Sequence, residues 1–152
     1  MPSIGTGAAP IEILLVEDSP GDIRLTREAF KDTNVRVNLH VASDGTEAMA
    51  FLERLGQHAH VPRPDLILLD LNLPKKDGRE VLKEIKGNQT LTSIPVVILT
   101  TSASEKDVLV SYRLHASCYI TKPVTLDGFL EIMKSIESFW LSVVTLPREG
   151  LS

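Results

Sequence analysis

The sequence has a single cysteine, Cys118, which excludes an intrachain disulfide framework and any multi-cysteine zinc site and fits a reducing, cytoplasmic compartment. No apolar run approaches the ~20 residues a membrane helix needs, and Met1 to Pro10 carries no positive stretch followed by a long apolar one, so neither membrane spanning nor export is expected. Basic residues are not in excess: 16 Lys and Arg against 20 Asp and Glu give a formal net charge of −4. Without a basic stripe, nucleic acid and anionic membranes are not expected as partners. A phosphate-cradling glycine loop is missing too. Gly5-Thr6-Gly7 precedes the first apolar run instead of following it, and no Gly-Lys-Ser or Gly-Lys-Thr occurs, which argues against a nucleotide-dependent enzyme. What is present, 43% hydrophobic and 24% charged residues over 152, suffices for one domain with a proper core and leaves no room for a separate output module.

Short apolar runs alternate with longer amphipathic segments, the pattern of strand and helix units around a parallel sheet. Ile13-Leu14-Leu15-Val16, Leu66-Ile67-Leu68-Leu69 and Val96-Val97-Ile98-Leu99 carry no polar interruption, as expected of central strands covered on both faces. Val35, Val37, Leu39 and Val41 alternate with Arg36, Asn38 and His40, a period of two that predicts a half-exposed edge strand. A fifth strand, Cys118-Tyr119-Ile120, is cut off by Lys122-Pro123, because proline cannot donate to a ladder. Five helices are predicted between and after these strands. They start at Pro20-Gly21-Asp22, Asp44-Gly45-Thr46-Glu47, Asp77-Gly78, Ser104-Glu105 and near Thr125. Their inward faces are Ile23, Thr26 and Phe30 in the first and Ala48, Phe51, Leu52 and Leu55 in the second. The third buries Val81, Leu82 and Ile85, and the fifth Leu126, Phe129, Leu130, Met133 and Ile136, all at helical spacing.

In an open parallel sheet, ligands bind beyond the carboxyl ends of the strands. Glu17-Asp18 follows the first strand, Asp70 the third, Thr100-Thr101-Ser102 the fourth and Lys122-Pro123 the fifth. Three carboxylates at one rim oppose one another's ionisation and call for a cation. Hard oxygen donors with positions left to water suit Mg²⁺, which commonly joins carboxylates to phosphate oxygens. The rim is therefore expected to receive a phosphoryl group.

As a set these motifs resemble the receiver domain of two-component response regulators, over Ile11 to about Phe139. The resemblance implies a doubly wound α/β fold, a five-stranded parallel sheet of order 2-1-3-4-5 with five helices. It leaves an N-terminal extension at 1–10 and an apolar C-terminal extension at 140–152. It implies that Asp70 accepts a phosphoryl group from a phosphohistidine on a sensor histidine kinase. Glu17, Asp18, Asp70 and the backbone carbonyl of Asn72 would hold Mg²⁺, or Mn²⁺ in its place, with the longer arm of Glu17 reaching the metal through water. Thr100 and Lys122 would bond the phosphoryl oxygens, Thr100 and Tyr119 would form the switch, and Ser102 would modulate water access. The implied protein is a signalling phosphoacceptor, not an enzyme beyond self-phosphorylation and autodephosphorylation. A finer resemblance is to the single-domain regulators paired with cyanobacterial phytochromes. It is carried by Leu14 to Asp22, the Pro62 to Pro64 connection, Leu71 to Gly78, and Phe139-Trp140-Leu141, and it implies a phytochrome-type kinase partner.

Two other readings compete with this one. An aspartate-nucleophile phosphatase needs a general acid two residues after the nucleophile, and Asn72 stands there, unable to protonate a leaving group. A phosphorylation-independent interaction module would leave the full acceptor, metal and lysine set without a use. His58 and His60 have no third ligand nearby in sequence and read as a solvated connection. Cys118 reads as a small buried hydrophobe. Beyond the sheet-facing stripe of the fifth helix, Ile132, Phe139, Trp140, Leu141, Val143, Val144 and Leu146 add apolar surface, and such a surplus marks a contact. The expectation is a homodimer with Tyr112, Phe139 and Trp140 as aromatic anchors; the alternative is a tail folded back on its own domain.

Overall fold

Side-chain alternation along the apolar runs divides the core in two. In the computed structural model, which describes residues 10–31, 35–141 and 145–147, the elements are β1 (Ile11–Val16), α1 (Pro20–Lys31), β2 (Val37–Ala42), α2 (Gly45–Leu52) and β3 (Leu66–Leu69). They continue with α3 (Gly78–Lys86), β4 (Val96–Thr100), α4 (Glu105–Arg113), β5 (Cys118–Thr121) and α5 (Leu126–Ile136). All strand pairs are parallel, in the order β2-β1-β3-β4-β5, as the resemblance implies. Leu14, Val16, Ile67, Leu69, Val96 and Ile98 pack with α2 and α3 on one face. Ile13, Leu15, Leu66, Leu68, Val97 and Leu99 pack with α1 and α5 on the other. Each fully buried Leu or Ile contributes about 1.5–3 kcal/mol, and the three central strands supply most of them. The alternating segment forms the edge strand β2, half-buried on one face.

The helix starts follow the capping chemistry in the sequence. Asp44 Oδ1 accepts the Glu47 amide at 2.7 Å, while Glu47 Oε1 accepts the Ser43 amide at 2.7 Å; Asp77 caps α3 through the Arg79 amide at 2.9 Å and Ser104 caps α4. These bonds satisfy amides that a helix N-terminus leaves open. Two inward assignments are corrected. Leu55 is 56% exposed because α2 ends at Leu52 and Arg54 turns the chain at a positive φ of 55°, so Leu55 lies past the helix and off its face. Leu126 is also 56% exposed. It opens α5 beyond the carboxyl ends of the strands, where no sheet lies beneath it, while Phe129, Met133 and Ile136 are buried.

The fifth helix passes directly into a π-helical turn, Glu137–Leu141, so the boundary expected at Phe139 falls inside a continuous helical segment. Leu141 and Leu146 are buried against the α1 and α5 face, with Trp140 partly packed there. To that extent the tail folds back on its own domain. The N-terminal extension up to Ala9, including Gly5-Thr6-Gly7, and Val143 and Val144 of the tail lie outside the described residues.

Candidate functional site

The parallel register brings the strand ends together. Val16 pairs with Leu69, and the Asp70 amide donates to the Val16 carbonyl at 3.1 Å, so Glu17-Asp18 and Asp70 leave neighbouring strands side by side. Oxygens of Glu17, Asp18 and Asp70 lie within 4.8 Å of one another, close enough to share one cation. Glu17 and Asp70 are buried and Asp18 is exposed. The side chain of Asp70 is oriented by the Asn72 amide, which donates to Oδ1 at 3.1 Å. Glu17 accepts the Ser19 amide at 3.1 Å.

Lys122 reaches this group from two strands away. Its amide donates to the Thr100 carbonyl at 2.7 Å, which fixes it at the end of β5, and strands are about 4.8 Å apart; only a long flexible stem covers the gap to β3. The ammonium, 7% exposed as a residue, donates to Glu17 Oε1, to Asp22 Oδ2 at 2.8 Å and to Asp70 Oδ2 at 3.1 Å. Burial by itself would discharge it, but the bonds to Asp22 and Glu17 and the charge of Asp70 outweigh that and push its pKa up. Glu17 is only 2% exposed. Burial pushes its carboxyl up, the charge of Asp70 adds to this, and Lys122 offsets part of it. One ammonium thus faces three carboxylates, with Asp18 beside them. The donor set fits a hard divalent cation.

Thr100 ends β4 fully buried, and its Oγ1 accepts the Ser102 amide at 3.4 Å. The Tyr119 hydroxyl donates to the Ser102 carbonyl at 2.8 Å, so the two expected switch residues meet at Ser102. The Ser102 hydroxyl donates to Asp107 Oδ2 at 2.6 Å. The Asp107 carboxyl is held at about 2 by its bonds to Arg79 and to Ser102. Tyr112, 48% exposed, accepts the Tyr119 amide on its hydroxyl at 3.2 Å. Phe139 is 54% exposed and stacks edge-on against Trp140, with ring centroids 5.7 Å apart. His58 packs on the Phe51 ring, with centroids 5.5 Å apart.

Three participants were missed from sequence. Asp22 had a usable signal, since it lies in the first turn of the helix that follows the acidic pair. Arg79 and Asp107 are 28 residues apart, and no local pattern joins them.

Two glycines let the loop that carries the site pass. A Cβ on Gly78 would lie 2.2 Å from the Asp70 carbonyl oxygen and 2.6 Å from Leu71 Cα, and one on Gly45 would lie 1.9 Å from the Lys76 carbonyl oxygen. The segment from Asp70 to Lys76 therefore runs against both helix starts.

A five-stranded parallel sheet of this order, with three carboxylates and a buried lysine at its carboxyl rim, is the plan of a receiver. The chain belongs to the response regulator receiver domain family, whose model matches residues 13–134. Response regulator Rcp1 of Synechocystis sp. is 56% identical over 138 residues, 91% of this chain and 94% of that protein. The crystal structure of the Mn²⁺-bound form of Rcp1 matches at 55% identity and a TM-score of 0.90, covering 91% of this chain and all of that one. The phosphorylated cyanobacterial phytochrome response regulator RcpA matches at 55% identity and a TM-score of 0.90, covering 92% of this chain and all of that one. The chain is thus a receiver domain signalling protein, similar to response regulators crystallised with a divalent metal and in a phosphorylated form. Among the described residues no helix is long and apolar enough to cross a membrane.

Proposed function

We propose that the protein accepts a phosphoryl group on Asp70 from a sensor histidine kinase of the phytochrome type and relays the signal by changing its interaction surface. The observation that carries this is the convergence of Glu17, Asp18, Asp70 and Lys122 at one rim. Its likeness to Rcp1 and to the phytochrome response regulator RcpA supports the kinase partner. A carboxylate oxygen of Asp70 bonds to phosphorus as the bond to the histidine nitrogen breaks, and the electron pair leaves on the imidazole. Glu17, Asp18, Asp70 and the Asn72 carbonyl would hold Mg²⁺, with Mn²⁺ as a substitute, and the ion would neutralise phosphoryl charge. Lys122 supplies a second positive charge from its anchored position, and Thr100 a hydroxyl. Thr100 and Tyr119 carry the change to the surface through Ser102, which borders water access to the acyl phosphate. The receiver occupies 11–139, with extensions at 1–10 and 140–152. It works in the cytoplasm, does not bind nucleic acid or membrane, and has no catalysis beyond its own phosphorylation and dephosphorylation.

Incubation with Mg²⁺ and acetyl phosphate should add one phosphoryl mass to the intact protein, and Asp70→Asn should abolish the adduct; an unmodified parent protein would overturn the assignment. Multiple turnover of a phosphomonoester would instead favour the phosphatase reading, and Asn72 at the general-acid position speaks against it.

The reading extends to a homodimer through the face that includes α5. Tyr112 and Phe139 are large, exposed and aromatic, and the third expected anchor, Trp140, is half-buried and stacks edge-on against Phe139; such residues are enriched at protein contacts. Sedimentation is expected to show a dimer at roughly 100 µM, where a micromolar association is largely complete. A monomer at that concentration would remove this reading.

A further inference from the structure

Ser102 lies in the short connection between β4 and α4, and all its polar groups are engaged. Its amide donates to Thr100 Oγ1 at 3.4 Å, its carbonyl accepts the Tyr119 hydroxyl at 2.8 Å, and its hydroxyl donates to Asp107 Oδ2 at 2.6 Å while accepting the Ser104 amide at 3.4 Å. Asp107, in the first turn of α4, takes both prongs of Arg79: Nε to Oδ1 at 2.9 Å and Nη2 to Oδ2 at 2.6 Å. Arg79, in the first turn of α3, also bonds Asp77 at 2.9 Å and the Leu71 carbonyl at 3.4 Å through Nη1. A continuous chain of bonds therefore runs from the residue after Asp70 to the residue two beyond Thr100. A two-pronged Arg–carboxylate pair fixes orientation as well as distance, and the carboxylate also sits favourably at the positive end of α4.

We infer that Arg79 and Asp107 are positioning residues that set the lifetime of the phosphoryl group on Asp70 by holding Ser102 in place; this rests on Asp70 being the phosphoacceptor. The group is lost by hydrolysis. A water oxygen bonds to phosphorus as the bond to the Asp70 oxygen breaks, the electron pair returns to the carboxylate, and the water proton leaves with phosphate or to solvent. Ser102 stands beside Thr100, and its neighbours Thr101, Ala103 and Ser104 are exposed, so the position of this connection governs how water approaches. Asp107 directs the Ser102 hydroxyl toward α4, and Arg79 occupies both Asp107 oxygens, which keeps that carboxylate from turning to water. Release of either residue loosens the connection.

The test measures acyl-phosphate half-life after labelling with acetyl phosphate and Mg²⁺, then removing both. Arg79→Gln and Asp107→Ala should each shorten it about three- to tenfold, the scale of coupling between directly bonded groups. Neither should shorten it further in a Ser102→Ala background, an epistasis that general destabilisation would not produce. Without phosphate or metal, amide exchange across 101–104 should quicken in both variants. Half-lives within a factor of about two of the parent, or an undiminished effect in the Ser102→Ala background, would overturn the inference while leaving the acceptor assignment standing. Failure of the parent to label overturns the acceptor assignment itself and the inference with it. Arg79→Gln alters a partly exposed side chain and keeps it polar, so it keeps the test open should Asp107→Ala fold poorly.

Discussion

Replacing Lys122 with alanine is expected to lower the unfolding free energy at pH 7, without divalent cation, by about 3–5 kcal/mol, the range for removing one partner of a buried ion pair. The ammonium is the shared partner of Glu17, Asp22 and Asp70, and without it the buried carboxylates face one another uncompensated. The sign of the pH dependence follows from the shifts. The raised Lys122 pKa means that its contribution is complete below its unfolded value of 10.5 and disappears only as pH rises through the higher folded value, so neutral pH shows the full loss. Glu17, whose pKa burial already raises, should rise further in the variant, so acidification toward its folded pKa should return part of the loss. Mg²⁺ should also return part of it, and should stabilise the variant more than the parent, because it replaces missing positive charge at the same carboxylates. Denaturant unfolding with and without Mg²⁺ reads all of this. A loss below about 1 kcal/mol, the value of a surface ion pair, would show that the cluster is not the tightly coupled unit its bonds describe.

That cluster also marks how far the sequence could be read. Uninterrupted apolar runs announced β1, β3 and β4, since a strand covered on both faces has no use for polar side chains. The two-residue period announced β2 at the edge. Glu17, Asp18, Asp70, Thr100 and Lys122 were legible because they follow strand ends, and a parallel sheet gathers strand ends at one rim. Their electrostatic partners were harder to see. Lys122 meets Asp22 across 100 residues and Arg79 meets Asp107 across 28, and such pairs are decided by how helices seat on the sheet. Helical spacing also left the ends of faces unmarked. It grouped Leu126 with Phe129, Met133 and Ile136, although the first turn of α5 begins past the sheet. The tail had the same ambiguity: its apolar surplus required a contact, and spacing alone did not say that Leu141 and Leu146 find it within their own domain.

Gly78→Ala is expected to cost about 2–4 kcal/mol, from the middle of the usual overpacking range to somewhat above it, and to slow labelling of Asp70 by acetyl phosphate. The added Cβ would meet the Asp70 carbonyl oxygen at 2.2 Å and Leu71 Cα at 2.6 Å. These are backbone atoms held by the ladder and by the Gly78 amide, which donates to the Leu71 carbonyl at 2.9 Å, so neither side can yield cheaply. The displacement falls on Asp70 and reaches its carboxylate. Gly45→Ala collides just as hard, 1.9 Å from the Lys76 carbonyl oxygen, but six residues past Asp70, so it should cost similar stability with a smaller effect on labelling. Gly21→Ala, whose Cβ meets only Ser19 Oγ at 3.9 Å, should leave stability unchanged or raise it by about 0.5–1 kcal/mol, because alanine loses less backbone entropy in a helix than glycine. Thermal unfolding and labelling rates on the three variants separate close approach from general intolerance of glycine replacement. If Gly78→Ala labels at the parent rate, the contact between α3 and the end of β3 has no part in placing Asp70.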